Sequence, residues 1–263
     1  MSTTKRCALI TGASAGIGAT FARFLAAEGY DLLLVARREE RLRDLASELQ
    51  AAYNIRCNVF AADLTDSAAP RAIIAYAKQQ NLTIDFLVNN AGLSGSKLFV
   101  ETPWSELAGE IQLMITAVTE LARLVAPDMK ARGWGRIINL SSIAAFAPPA
   151  ASLLYTGIKS YVLYMSESLD MELKPHGVHV TALCPGFTYS EFHDVMGTRT
   201  AANNLPAILW QQPEEVVSEG YAAVMKGKPV CVPGTVNKLV TASMRPIPET
   251  VRYFLGRTLN PFK

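Results

Sequence analysis

The sequence predicts an α/β protein built on a doubly wound, mostly parallel sheet with helices on both faces. Three observations predict it. Short apolar runs alternate with stretches of helical period along the chain, several runs are apolar without interruption, and a glycine-rich turn joins the first run to the first helix. A strand with one wet face alternates apolar and polar residues. A continuous run such as 32–35 (Leu-Leu-Leu-Val) suits a parallel strand covered on both sides. Repeated strand–helix units then imply crossover connections and a two-sided layer of helices.

Each element has its own signal. Residues 7–10 are the first strand, and Ile17, Phe21, Phe24 and Leu25 follow at helical spacing. After the strand 32–35, Leu42, Leu45, Ala46 and Leu49 return to that spacing, with Glu39 and Arg43 paired four apart. Strands are expected at 58–62, 86–88, 136–140, 179–183 and 229–232, and helices at 71–80, 153–174 and 213–226. Leu107, Ile111, Met114, Val118, Leu121 and Val125 advance in steps of four and three, which reads as one long helix with a buried face. The segment 188–212 is either a plain long loop or a substrate lid, and loops of this length in compact domains favour the lid. The tail, 235–263, carries Val251, Phe254 and Leu255 beside Arg252 and Arg257, the pattern of an amphipathic helix over a pocket or against another subunit.

Bulk properties exclude several classes. The chain has 263 residues, half of them hydrophobic, which suits one domain with a large core and argues against disorder. With 25 basic and 23 acidic residues and a net charge of +2, it lacks the electrostatic footprint of a nucleic-acid binder. Cys7, Cys57, Cys184 and Cys231 are far apart, without CxxC spacing, and are expected as free thiols in a reducing cytoplasm. His176, His179 and His193 have no metal-ligand spacing, so metal-free chemistry is expected. Lys5-Arg6 and the residues after them suit a turn better than a signal peptide. The uncharged stretch 137–158 contains Asn139, serines and Pro148-Pro149, which hydrocarbon would leave unsatisfied, so no membrane span is expected.

Chemistry concentrates in three places. In the turn Thr11-Gly12-Ala13-Ser14-Ala15-Gly16-Ile17-Gly18, glycines permit close backbone approach, and the following helix N-terminus offers unpaired N–H groups to a pyrophosphate. Its spacing departs from GxGxxG, with three residues between the first two glycines. The second strand ends in Ala36-Arg37-Arg38, where an NAD site would place a carboxylate. A guanidinium there can hold a 2′-phosphate by a charge-assisted fork, which favours NADP(H). Third, Tyr155 and Lys159 lie four apart on one helix face. A phenol of pKa about 10 is a poor base at neutral pH. Lowering it by two units takes roughly 3 kcal/mol, which a cation about 5 Å away supplies at an effective dielectric near 20. Ser141 and Ser142 end the preceding strand and add hydroxyls able to orient a carbonyl.

The turn TGASAGIG, the segment Asn89-Asn90-Ala91-Gly92, the strand end Asn139-Leu140-Ser141-Ser142, the run YTGIK and Pro185-Gly186 occur together in an order that resembles the short-chain dehydrogenases/reductases, over residues 6 to about 230. Within that family the chain is similar to the short, single-domain, NADP-preferring branch with a Rossmann-type fold. The resemblance implies that Tyr155 is the general acid in reduction and the base in oxidation. Lys159 would lower its pKa and hold the nicotinamide ribose, and Ser142 would steady the substrate oxygen. Gly12, Ser14, Gly16, Ile17 and Gly18 would carry the pyrophosphate, and Arg37 and Arg38 the 2′-phosphate. Asp63 and Leu64 would flank the adenine, and Asn90, Ala91 and Gly92 the adenosine ribose. Pro185, Gly186, Thr188 and Ser190 would border the nicotinamide. It also implies a small, fairly apolar carbonyl or alcohol substrate and a homodimer or homotetramer. One departure stands out: the family's long helix commonly carries an asparagine in a catalytic tetrad, and the matching residue is Met114. That departure motivates an alternative, an NADP(H)-binding protein with little turnover. Trp104, Trp134 and Trp210 read as packing groups, and Asp85 and Asp170 show no partner that suggests catalysis.

Overall fold

The structure, a computed structural model, describes residues 5–93, 99–147, 154–189 and 206–244 together with Pro248 and Val251. Among them, seven parallel strands form one sheet in the order β3-β2-β1-β4-β5-β6-β9. The strands are β1 (Cys7–Thr11), β2 (Asp31–Ala36), β3 (Cys57–Ala61), β4 (Ile84–Asn89), β5 (Gly135–Leu140), β6 (Val178–Leu183) and β9 (Val230–Cys231). The order reverses beside β1, which places the binding crevice of a doubly wound sheet outside the carboxyl ends of β1 and β4.

Both faces of the sheet are buried, as the unbroken apolar runs require. Ala8, Ile10, Leu32, Leu34, Phe86 and Val88 pack with α1 (Gly16–Ala27), α2 (Glu39–Tyr53) and α7 (Pro213–Met225). Cys7, Leu9, Leu33, Val35 and Leu87 face the other way, onto α3 (Ala69–Gln79), α5 (Ala117–Arg132) and α6 (Tyr155–Leu173). Helix ends follow local chemistry. Asn54 and Gly133 close α2 and α5 in the left-handed region, and Pro sits in the first turn of α3 and of α7.

The long helix expected over 107–125 is interrupted. It is α4 (Trp104–Ile111), one π turn over Gln112–Thr116, and α5. The apolar stripe survives, with Leu107, Met114, Val118, Leu121 and Val125 buried, so the side-chain period conceals the widened turn. In that turn the Thr119 hydroxyl donates to the Ile115 carbonyl at 2.7 Å.

Beyond β6 the chain forms a second, two-stranded parallel pair, β7 (Phe187–Thr188) with β8 (Trp210–Gln211). After β9 comes α8 (Thr235–Met244), so the first part of the tail is helical. Most of the lid segment, including Ser190 and His193, and the tail residues Arg252, Phe254, Leu255 and Arg257 lie outside the described residues. No described helix is long and apolar enough to cross a membrane.

The tryptophans do more than fill space. Trp134 lies under two guanidinium groups, with Arg6 at 3.7 Å and Arg136 at 4.6 Å from the ring centroid. Trp210 stacks on Tyr189 at 4.8 Å, and Trp104 is exposed rather than packed. His179, Asp85 and Asp170 behave as structural groups. His179 Nδ1 meets the Val224 carbonyl, Asp85 bonds the Cys7 N–H and Arg132, and Asp170 accepts from the Val180 N–H and from Lys174.

Phe86 sits at the centre of the first core layer, fully buried, edge-on to Tyr30 at 5.8 Å and stacked with Tyr221 at 6.1 Å. Phe86→Ala should therefore destabilise the protein by about 3–5 kcal/mol, read as a lower urea midpoint at unchanged slope.

Candidate active site

The carboxyl ends of β1, β4 and β5 bring the predicted residues together. Gly12 has φ +66°, and a Cβ there would lie 2.7 Å from the Asn90 amide nitrogen and 2.9 Å from the Ala91 Cα. At Gly18 a Cβ would fall 2.3 Å from the Gly12 carbonyl oxygen. Both positions thus demand glycine because the turn is pressed against the segment after β4. Gly16, at φ +52°, opens α1. The N-cap, Ala15, offers no side-chain acceptor and the first turn has no acidic residue, so the first N–H groups of α1 face the crevice without a protein anion. Ile17 packs against the core behind the turn.

Thr11 ties the turn to β4, a role the sequence did not announce. Its hydroxyl donates to the Val88 carbonyl and accepts from the backbone N–H of Asn90 (3.0 Å) and of Ala91 (3.1 Å). In return the Asn90 side-chain amide donates to the Thr11 carbonyl at 2.9 Å and to that of Gly12 at 3.3 Å. Gly92 adjoins Met114, whose Sδ would be 3.5 Å from a Cβ on that glycine. Met114 is buried and apolar where the family pattern carries an amide.

At the end of β2 the two arginines diverge. Arg38 donates through Nε and Nη2 to the Ser14 hydroxyl at 3.2 and 3.0 Å, joining the glycine turn to the start of α2. Arg37 is two-thirds exposed and 3.9 Å from Asp63, a surface pair weak enough to yield to a stronger anion. Burial opposes ionisation of Asp63, but bonds from the Thr65 N–H and hydroxyl, helped by Arg37, outweigh it and hold the carboxyl below its ordinary range. The Leu64 side chain is buried in the second core layer. These features fit a dinucleotide: a backbone cradle that excludes Cβ atoms, a helix N-terminus uncapped by any side chain among the described residues, and two cations at its far end.

Ser142, Tyr155 and Lys159 meet at the end of β5. The Ser142 hydroxyl accepts from the Ala144 N–H at 3.1 Å and contacts the Tyr155 phenol. The backbone donor fixes the serine oxygen and leaves its hydroxyl proton available to a further acceptor. The Lys159 ammonium lies 5.5 Å from the Tyr155 ring centroid and donates to the Leu140 carbonyl at 2.9 Å. Burial pushes the Tyr155 phenol up to about 12, against a lowering contribution from Ser142. Burial likewise brings Lys159 down to about 8, with the Cys184 thiol acting in the opposite sense. Burial of the phenol, the largest influence on Tyr155, acts against the lowering expected from its neighbouring lysine.

Two buried polar groups behind this site have partners that the sequence did not reveal. The Ser141 hydroxyl donates to the Lys159 backbone carbonyl at 2.7 Å. Asn139 receives a bond from Asn89 at 2.8 Å and donates to Ser166 at 3.0 Å. An asparagine inside an apolar strand was the available signal, since such a residue requires partners when buried. Facing them, Pro185 accepts from the Ile143 N–H at 3.0 Å, the Thr188 hydroxyl donates to the Gly186 carbonyl, and Gly186 is covered by Asn237 of α8.

The Rossmann-type sheet, its glycine turn and this serine–tyrosine–lysine cluster define a nucleotide-dependent oxidoreductase scaffold. The family model described as short chain dehydrogenase matches residues 6–200, and the chain belongs to the short-chain dehydrogenases/reductases. It is similar to a very-long-chain 3-oxoacyl-CoA reductase of Phaeosphaeria nodorum, with 37% identity over 66% of this chain and 52% of that protein. The chain thus spans about half the length of that relative. Among solved structures it resembles a short-chain dehydrogenase from Sphingobium yanoikuyae in complex with NADPH, at 33% identity and a TM-score of 0.81, covering 92% of this chain and 96% of the other. The bulky-bulky ketone specific alcohol dehydrogenase from Comamonas testosteroni is similar at 31% identity and a TM-score of 0.77, covering 94% and 96%. The family to which the chain belongs is one of oxidoreductases that use nicotinamide cofactors.

Gly18→Ala tests the cradle. Alanine favours the helix by about 1 kcal/mol, yet its methyl would collide with the Gly12 carbonyl. Fluorescence titration should show nucleotide binding weakened by about tenfold or more, while far-ultraviolet circular dichroism stays native.

Proposed function

We propose that this protein is an NADP(H)-dependent carbonyl reductase or alcohol dehydrogenase with Tyr155 as general acid or base. The observation that carries the reading is the contact of Ser142 with the Tyr155 phenol, with the Lys159 ammonium beside the same ring. When bound, the nicotinamide supplies or accepts the hydride at carbon. The chain's own residues handle the oxygen. Ser142 donates a hydrogen bond to it, and the Tyr155 hydroxyl delivers a proton as negative charge develops there. In oxidation the same proton returns to the Tyr155 oxygen. Lys159 stabilises the phenolate left behind and, through its remaining donors, holds a ribose hydroxyl.

Near neutral pH the pair is in the protonation state of a proton donor. A phenol pushed up to about 12 carries its proton, and a lysine near 8 is still mostly an ammonium. NADP(H) is favoured over NAD(H) by Arg38 on Ser14 and by Arg37, held only loosely by Asp63. The NADPH in the Sphingobium relative agrees with that choice.

A bulky apolar carbonyl fits the substrate side. Phe187 and Trp210 lie 5.7 Å apart, and Tyr189 stacks on Trp210, so an aromatic wall begins two residues after Pro185. The names of the ketone-specific and 3-oxoacyl-CoA relatives agree with a large acyl or alkyl substituent. The buried Met114 favours a second reading, a nucleotide-binding protein with little turnover.

Tyr155→Phe should lower turnover of a bulky aryl ketone with NADPH by about a thousandfold or more while NADPH binding persists. A folded variant keeping wild-type turnover would remove the phenol from the mechanism, and NADPH binding without turnover on a broad ketone panel would favour the second reading. Arg37→Ala and Arg38→Ala should each weaken NADPH by about tenfold or more and NADH by less than about twofold. Equal losses for both nucleotides would end the 2′-phosphate assignment.

A further inference from the structure

In this chain β4 and β5 part company one residue early. Their last pair is Asn89 with Asn139, whereas β5 continues beside β6 to Leu140. The Ser141 N–H bonds the Leu183 carbonyl of β6, so the preceding residue, Leu140, turns its carbonyl toward the β4 side. No β4 donor meets it there, because the Asn90 and Ala91 N–H groups are both taken by the Thr11 hydroxyl. Lys159 fills the position instead, its Nζ 2.9 Å from the Leu140 oxygen. One residue on, the buried Ser141 hydroxyl bonds the Lys159 backbone carbonyl at 2.7 Å. The strand end thus grips Lys159 at both extremities.

We infer that Ser141 is a positioning residue that, together with the Leu140 carbonyl, anchors Lys159 in a chain whose long helix carries Met114 in place of the family's asparagine. The inference rests on the catalytic reading proposed above. Met114 has no side-chain amide with which to organise a relay. A backbone carbonyl can anchor an ammonium without that amide, provided the helix is held in register, and the Ser141 bond holds it at the lysine itself. The ionisable groups that act on Lys159 are Tyr155 on its own helix and the Cys184 thiol of the neighbouring strand. Burial raises that thiol to about 12.

Ser141→Ala removes the grip on the backbone while leaving Ser142, Tyr155 and Lys159 in place. Expected is a fall in kcat of about tenfold with the Kd for NADPH within about twofold. The pH at which alcohol oxidation switches on should rise by about half a unit or more, since a displaced ammonium supports the phenolate less well. Ser141→Thr, which keeps the hydroxyl, should return both quantities most of the way. If Ser141→Ala does not fold by circular dichroism, Ser141→Cys takes its place, with a weaker donor and a partial effect. A folded Ser141→Ala with wild-type kcat and pH profile overturns the inference. Tyr155→Phe is assayed alongside. If it is inactive while Ser141→Ala is unaffected, only the anchoring fails; if it stays active, the catalytic reading fails as well.

Discussion

Backbone polar groups must find partners even where a sheet stops, and that requirement shapes this molecule more than any other. At the carboxyl ends of β1, β4 and β5 the ladder hydrogen bonds run out before the chain reaches solvent. Side chains take over. Thr11 receives two N–H groups of the segment after β4, Asn90 returns two bonds to the glycine turn, and Lys159 occupies the Leu140 carbonyl. The groups that close the sheet also form the walls of the crevice. Scaffold and site therefore cannot be altered separately there.

The two ends of the crevice differ electrostatically. At the β2 end, Arg37 and Arg38 sit largely in solvent, where a long-range cation is cheap and its pairing with Asp63 is weak. At the β5 end, Tyr155 and Lys159 are enclosed, and burial acts on both toward their neutral forms. An exposed arginine suits recognition of a phosphate that arrives with its own charge. An enclosed phenol suits proton transfer, since a small change in nearby charge moves its equilibrium strongly at low dielectric.

Much of the architecture was legible because it obeys one-dimensional rules. Continuous runs such as Leu32 to Val35 marked buried parallel strands, and the stripe from Leu107 to Val125 marked a buried helix face. The glycines of the first turn were legible for the same reason: a strand, a tight turn and a helix are contiguous in sequence. Illegible features involved either a local irregularity that leaves the side-chain period intact, as in the π turn at Gln112–Thr116, or strands too short to show a period, as in Phe187–Thr188 with Trp210–Gln211. The Trp134 sandwich and the Tyr189–Trp210 stack likewise join residues with no common local pattern.

By itself the sequence determined the fold class, the glycine turn, the paired arginines after β2 and the spacing that puts Tyr155 and Lys159 on one face of α6. All of these are set by neighbours within a few residues. Only the tertiary structure decided what each group meets. It placed Arg38 on Ser14, set the Leu140 carbonyl under Lys159 and the Ser141 hydroxyl on its backbone, and let burial outweigh the Ser142 contact in setting the phenol's proton affinity. Desolvation and hydrogen-bond partners depend on which distant segments enclose a residue, and local spacing carries no record of that enclosure.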